Sequence, residues 1–437
     1  MSNTHTITVV SRLGAVALIA IALSVFEPSR LEGVLWESRP PDIIVTTAAD
    51  LMAALSPPNA GAQILVRAGD YDLSQALTVP DQATLVGEGV MGFDESGLPT
   101  GFEASGRTLL RATAALAGDV LTLGDGATLR GLVIEDLAGR PVGNPVAVVS
   151  RGAGDFISAH IEECEIINPN SSVGGQGLRG RGLVVVTRNP SPSHEGAVLR
   201  VQMTQSIVRS PGAGIGVFAI NFASHTQINL DLESNVIGGG LNTAAGVGSP
   251  DAVTGASVTI QSRRNLYRSD SPVPTAIGWT LFGGADVPSR LVASKASTFN
   301  SLQIHSEDDA IEAFATGISA AGARRFNELS EPMSSNSVDM DLHGTRLATT
   351  TTDLRLFGAT SPGTDFAPGD ENTLRVLVRQ AAGSGPRANQ YADSMTRSMG
   401  NLGTGNRLEI VGNANAFDQT NNDFVPSPPA EFFTAQQ

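Results

Sequence analysis

Lysine is almost missing from this chain: Lys295 is the only one in 437 residues, so the 28 Lys and Arg positions are otherwise all arginine. Against 43 Asp and Glu they leave a formal net charge of -15. A surface of that sign repels phosphate backbones, and no basic stretch with interleaved aromatics offsets it, which argues against nucleic acid as a partner. It also disfavours anionic lipid, and polyanionic glycans unless calcium or local arginines intervene. Cysteine is equally scarce. Cys164 stands alone, so no internal disulfide can form, and its setting is that of core filler rather than of a nucleophile. Aromatics (5%) and charged residues (16%) are too few for a set of long amphipathic helices. What is abundant is glycine, 48 residues, which suits many short strands joined by tight turns. Length alone would suggest two or three compact domains; this composition points instead to one long array.

The first 12 residues are polar and end in Arg12, and Leu13 to Phe26 is apolar apart from Ser24. That order is the one found in secretory signals, so residues 1–26 are expected to export the protein, either as a cleaved signal or as an N-terminal membrane anchor. About 14 apolar residues is short for a spanning helix. Residues 27–45 read as a linker, and the Pro- and Asn-rich stretch 418–437 as a mobile tail, although Phe432 and Phe433 are apolar enough to seal a last coil.

Between them the chain repeats. AHIEECEI from Ala159, VQMTQSIV from Val201 and LDLESNVI from Leu230 each carry alternating apolar positions, a polar corner and a further apolar residue. VTIQSRRNL from Val258, LQIHSEDDAI from Leu302 and VDMDLHGTRL from Val338 follow with more variation. Taking Ile161, Met203, Leu232, Ile260, Ile304 and Met340 as equivalent anchors gives a spacing of 28 to 44 residues, one coil plus variable loops. A second strand type recurs at Leu183, Ile215 and Ile311. Two strands per repeat in fixed order predict stacked coils, an all-β single-stranded solenoid over residues 46–417, with like residues about 4.8 Å apart along the axis. Ala48 to Leu55 reads as a short helix laid over the first coil, covering its open edge.

The segment from Ala48 to Val90 resembles the opening of the pectin-lyase-like superfamily. The resemblance is carried by that capping helix, the strand Ile64 to Val66, the Gly69-x-Tyr71 turn, and the strand Leu85 that runs into Gly87-Glu88-Gly89. It implies a right-handed parallel β-helix, and a carbohydrate substrate lying on a polar wall of the coils. It is specific for fold rather than for activity.

With the anchors aligned as above, His160, Gln202, Asp231, Thr259, Gln303 and Asp339 form one outward column. Glu162, Thr204, Glu233, Gln261, His305 and Asp341 form the next. Any solvated sheet face is polar, yet this stripe is also where the resemblance would put a substrate, with His160, Glu162, Asp231, Glu233 and Asp339 as contacts. Stacking is expected to bring His305 beside Asp341, and an imidazole next to a carboxylate suits general acid or base work. Asp308 and Asp309, adjacent in sequence, resemble the paired acids of polygalacturonase-like hydrolases, where one acid protonates the glycosidic oxygen and another activates water. The rest of that family's pattern is missing, and acidic residues at a coil corner have an ordinary structural use. Lyases of this fold take a sugar proton with a lysine or arginine, which makes Lys295, with Arg324 or Arg325 as a partner, the rival centre. Asp231 with Glu233, and Asp339 with Asp341, are i, i+2 pairs that calcium would suit; no cofactor beyond it is expected. The expectation is therefore an exported, monomeric β-helix that binds or processes polysaccharide as a lyase, hydrolase or epimerase, against the alternative of a non-catalytic adhesin.

Overall fold

The computed structural model describes residues 40–412 and 433–434, apart from 104, 141–142, 171–179, 188–193, 221–222, 249–251, 270–276, 287–294, 326, 328–329, 362–368, 384–388 and 397–402. The signal or anchor expected at 1–26 lies outside the described residues, as does most of the tail. Among the described residues, no helix is long and apolar enough to cross a membrane.

The chain winds as a parallel β-helix. Strands from successive coils stack into three long sheets, of thirteen, ten and ten strands, in which every pairing is parallel. One coil shows the order. Ser301–Glu307 lies in the first sheet, Ala310–Glu312 in the second and Thr316–Arg324 in the third. A three-stranded ribbon of two-residue strands, Val253–Thr254, Ser297–Thr298 and Met333–Ser334, precedes the first sheet in the middle coils. Each coil thus has three walls where the repeats suggested two. The expected second strand at Leu183 and Ile215 is the third wall, but Ile311 pairs with Tyr267 and Leu347 on the second. A three-residue strand is too short to show its own alternation, so the sequence pattern merges the second wall into the corner.

Alternation builds the core. In the first sheet Ile157, Leu199, Ile228, Val258, Leu302, Val338 and Leu374 stack inward in exact register, each at most 1% exposed. Between the first two walls the corner residue adopts a left-handed conformation coil after coil: Glu163, Gln205, Ser234, Arg264, Asp308 and Gly344, with φ from 47° to 65°. The residue after it turns inward and bonds to its neighbours above and below. Ser206 N–H donates to Asn235 Oδ1, Asn235 N–H to Asn265 Oδ1, and Asn265 N–H to Asp309 Oδ1, at 2.8 to 2.9 Å. A second such ladder, Asn300, Asn336, Asn372 and Asn406, lines the opposite corner. These ladders satisfy corner amides that no sheet reaches.

The anchor alignment needs one correction. Leu232 pairs with Ser262 and not with Ile260; Ser262 pairs with Ser306, and Ser306 with Leu342. The expected columns are therefore in register up to Leu232 and slip by two residues beyond it. The cause is a polar insertion in the core. Ser262 Oγ shares a hydrogen bond with Tyr267 Oη (2.9 Å), and Ser306 Oγ donates to Asp309 Oδ2 (2.7 Å), so two inward serines stand where apolar anchors were sought. A slip of two preserves the faces, because side chains alternate with period two.

At the N-terminal end the solenoid starts with Ile43–Val45, three residues before the expected boundary, paired with Gln63–Val66. Helix α1, Ala48–Ala54, is N-capped by Thr47, whose hydroxyl accepts from Asp50 N–H (3.1 Å), and it buries Leu51. Tyr71 of the Gly-x-Tyr turn donates its hydroxyl to Arg67 O (3.0 Å). At the other end Phe433–Thr434, inside the stretch read as a tail, adds a strand to Arg407–Gly412.

Candidate functional site

The third wall is largely covered on its outer face too, with Asn242, Thr280, Ser319 and Arg355 half-buried. Its outward column Val186, Phe218, Ala244, Phe282, Ala321, Phe357 and Ala392 is at most 6% exposed throughout. Arg324 belongs here. Its guanidinium lies 4.9 Å from the Phe282 ring centroid, and burial pushes its pKa down to about 10. It stands at the end of the third wall, in register with Ala285 and Thr360. Lys295 stands just before the ribbon strand Ser297–Thr298, with Nζ 2.9 Å from Glu331 Oε1, both side chains about half exposed.

The second sheet has an open polar face, where Arg111, Arg209 and Arg268 pair with Glu135, Glu165 and Glu312, and so does the first. The true columns of the first sheet are His160, Gln202, Asp231, Gln261, His305 and Asp341, then Glu162, Thr204, Glu233, Arg263, Glu307 and His343, with Ser158, Arg200, Asn229, Thr259, Gln303 and Asp339 on the other side. Along much of this wall the charges cancel between coils. Arg130 Nε lies 3.8 Å from Glu162 and 3.4 Å from Glu163. Arg263 Nη2 donates to Asp231 Oδ1 (3.0 Å) and reaches Glu233 Oε2 (3.4 Å), while Arg264 takes the other oxygen of Glu233. The pair expected to suit calcium is therefore occupied by arginine. Further on, Glu409 is held by Arg375 and Arg407. His160 lies between Thr128 and Gln202, and burial raises the pKa of Glu162 against the opposing pull of Arg130.

One stretch differs. His305 Nδ1 lies 3.3 Å from Asp341 Oδ2, as stacking was expected to place them, and Arg379 Nε stands 3.6 Å from Asp341 Oδ1. The His305 side chain is 39% exposed. Around this dyad are Gln303, Asp339, Glu307 and His343, the register neighbours on the same two coils. Among the described residues, none of these four side chains makes an ion pair or hydrogen bond. Asp339 and Asp341, two apart on one strand face, have Cα atoms roughly 6.6 Å apart. No group of three or more His, Cys, Asp or Glu among the described residues converges as a metal site would.

Asp308 and Asp309 are not brought together as a pair. The left-handed corner parts them: Asp308 (φ 55°) is exposed with its carboxylate over Gly344, and Asp309 is 0% exposed inside the ladder. A side chain on Gly344 would meet the Asp308 carboxylate and sit in the left-handed region at φ 65°, which glycine adopts without strain and which the equivalent corners impose on Glu163, Gln205, Ser234 and Arg264. Asp309 Oδ1 accepts from Asn265 N–H and Nδ2–H, and burial, opposed by these bonds, pushes its pKa up to about 6. Sequence reasoning missed the counter-charges Arg263 and Arg379; both become legible once Ser262 and Ser306 are read as inward.

No protein-family model matches the chain, and no curated protein does. Among solved structures, the catalytic unit of a thermostable GH87 α-1,3-glucanase from Streptomyces thermodiastaticus is similar at 9% identity and a TM-score of 0.30, over 89% of this chain and 70% of that one. A likeness of that size says nothing about activity, and the fold assignment rests on the strand register above.

Proposed function

We propose that this protein is an exported β-helix, of the pectin-lyase-like type, that binds a polysaccharide across the open face of the first sheet, centred on His305 and Asp341. One observation carries the reading. Ion pairs with arginines from neighbouring coils tie up Glu162, Asp231 and Glu233 on that wall, whereas Asp339, Glu307, Gln303 and His343 around the dyad make none among the described residues. Leaving hydrogen-bonding groups uncommitted costs little on a solvated face and is what recognition of hydroxyl-rich ligands requires. The net charge of -15 fits a neutral glycan better than a polyanion, and argues against nucleic acid. Export rests on the pattern of residues 1–26, and a monomer is the proposed form.

A second reading, turnover at the same place, is favoured by the 3.3 Å approach of His305 Nδ1 to Asp341 Oδ2, an imidazole beside a carboxylate as general acid or base work uses. The test is a panel of soluble polysaccharides, both neutral and uronate, scored for binding, for reducing ends and for unsaturated products. Binding that weakens at least about tenfold in His305→Ala and Asp339→Asn at unchanged melting temperature supports the reading. Turnover lost in His305→Ala promotes the second. A parent protein that neither binds nor cuts any member of the panel removes both.

A further inference from the structure

Phe299 stands where neither the fold nor water favours it. It occupies the corner between the ribbon and the first sheet, in the left-handed region at φ 55°. Its side chain is 67% exposed. The equivalent corners hold His225, Gly255, Ser335, Glu371 and Gly405, all with φ between 56° and 68°. Each is closed by its own backbone: Phe299 N–H donates to Ser334 O at 3.3 Å, as Gly255 N–H does to Thr298 O at 3.1 Å and Ser335 N–H to Asp370 O at 2.9 Å. The corner therefore accepts almost any side chain and prefers glycine or a small polar one. A bulky aromatic pays twice, once in backbone strain and once in exposed apolar surface, and such a residue marks a function more often than a structural need.

Its surroundings indicate the ligand chemistry. Thr254 Oγ1 and Thr298 Oγ1 bond at 3.0 Å on the ribbon, Ser335 Oγ donates to Glu371 Oε2 at 3.2 Å, and Ser257, Ser301 and Ser337 form the adjoining column of the first sheet. Phe218, Phe282 and Phe156 each have an arginine over the ring; among the described residues, no guanidinium or second ring lies against Phe299. One open aromatic face at a corner whose neighbouring coils carry hydroxyls and a carboxylate suits a pyranose, whose C–H face stacks while its hydroxyls bond to polar groups nearby. A protein partner would call for a wider apolar patch. Phe299 also shares its coil with His305: the strand Ser301–Glu307 begins two residues after the corner, with Ser301 and Gln303 facing outward before His305.

We propose that Phe299 is a sugar-stacking platform at the edge of the first sheet, so that a bound glycan runs along the coil from Phe299 toward His305 rather than down the helix axis. This rests on the glycan-binding reading above. The test compares the parent, Phe299→Asn and Phe299→Trp for affinity toward dextran, laminarin, xylan, polygalacturonate and alginate, with melting temperatures and sedimentation alongside. The expected result is at least a tenfold loss, about 1.4 kcal/mol, in Phe299→Asn and retention in Phe299→Trp. The Asn variant should melt no lower than the parent, because Asn tolerates the left-handed corner. Unchanged affinity in Phe299→Asn overturns the platform while leaving the wider reading standing. Absence of binding by the parent overturns both. A parent dimer that dissociates in Phe299→Asn with glycan affinity intact assigns the ring to a second copy of the chain and overturns it too.

Discussion

Asn265 gives both its backbone N–H and its side-chain amide to a single oxygen of Asp309, at 2.8 and 3.1 Å, in the core of the solenoid. The rungs around it are Ser206, Asn235, Asn265 and Thr345, so Asp309 is the one among these that carries a carboxyl group. Burial lifts its pKa to about 6 from an ordinary 3.8. In the unfolded chain the proton leaves near pH 4, whereas the folded chain holds it to about pH 6. Between those values the unfolded state binds fewer protons, so stability falls as pH rises through the window and is level above it. The loss is on the order of 2–3 kcal/mol. Exposed carboxylates such as Asp94 and Glu331, with lowered pKa values, act in the opposite sense, so the measurement is a difference. Asp309→Asn should remove this step and exceed the parent in urea midpoint at pH 7.5, with the gap closing near pH 4.

Leu232 is 0% exposed, stacked between Met203 and Ser262. Leu232→Asp buries a charge without a partner and should cost several kcal/mol, seen as loss of the cooperative transition in urea. A variant that melts like the parent would contradict the register.

Cys164 is buried and hydrogen-bonds the Glu162 carbonyl at 3.3 Å, and burial pushes its thiol up to about 12. A thiol-disulfide reagent at pH 8 should leave it untouched in the native protein and label it at once in denaturant.

The Lys295–Glu331 pair is exposed and lies at the ribbon corner, away from the unpaired groups around His305. Lys295→Ala should change stability by under about 1 kcal/mol and leave glycan affinity unaltered. A dead but folded Lys295→Ala enzyme would move the centre to that corner and restore a lyase mechanism.

The contact between His305 and Asp341 was legible in the sequence although the column alignment was not. Both residues lie beyond the slip at Ser262, so the error moved them together and their mutual register survived. Asp308 and Asp309 were misleading for the converse reason. Adjacent residues in an extended strand face opposite ways, and a left-handed corner does not bring them back to one side. Arg263 escaped notice because a slip of two hid it behind Gln261, its outward neighbour on the same strand. Phe299 was invisible because an apolar letter in a sequence is read as core, and exposure is a property of the assembled surface.

Alternation of apolar and polar residues, glycine abundance and the recurrence of corners are local quantities, and by themselves they determined that this chain forms stacked parallel coils. Period-two patterning also determined which side chains face outward, since no slip of two can reverse it. What the tertiary structure alone decided is which outward groups meet. A charge on one coil is cancelled or left free by its partner some 30 to 44 residues away, as Asp231 is by Arg263 at 32 and Glu165 by Arg209 at 44. Loop length sets that separation, and a hydrophobic pattern carries no information about it, because the free energy of burial depends on how much apolar surface is covered and not on which coil covers it.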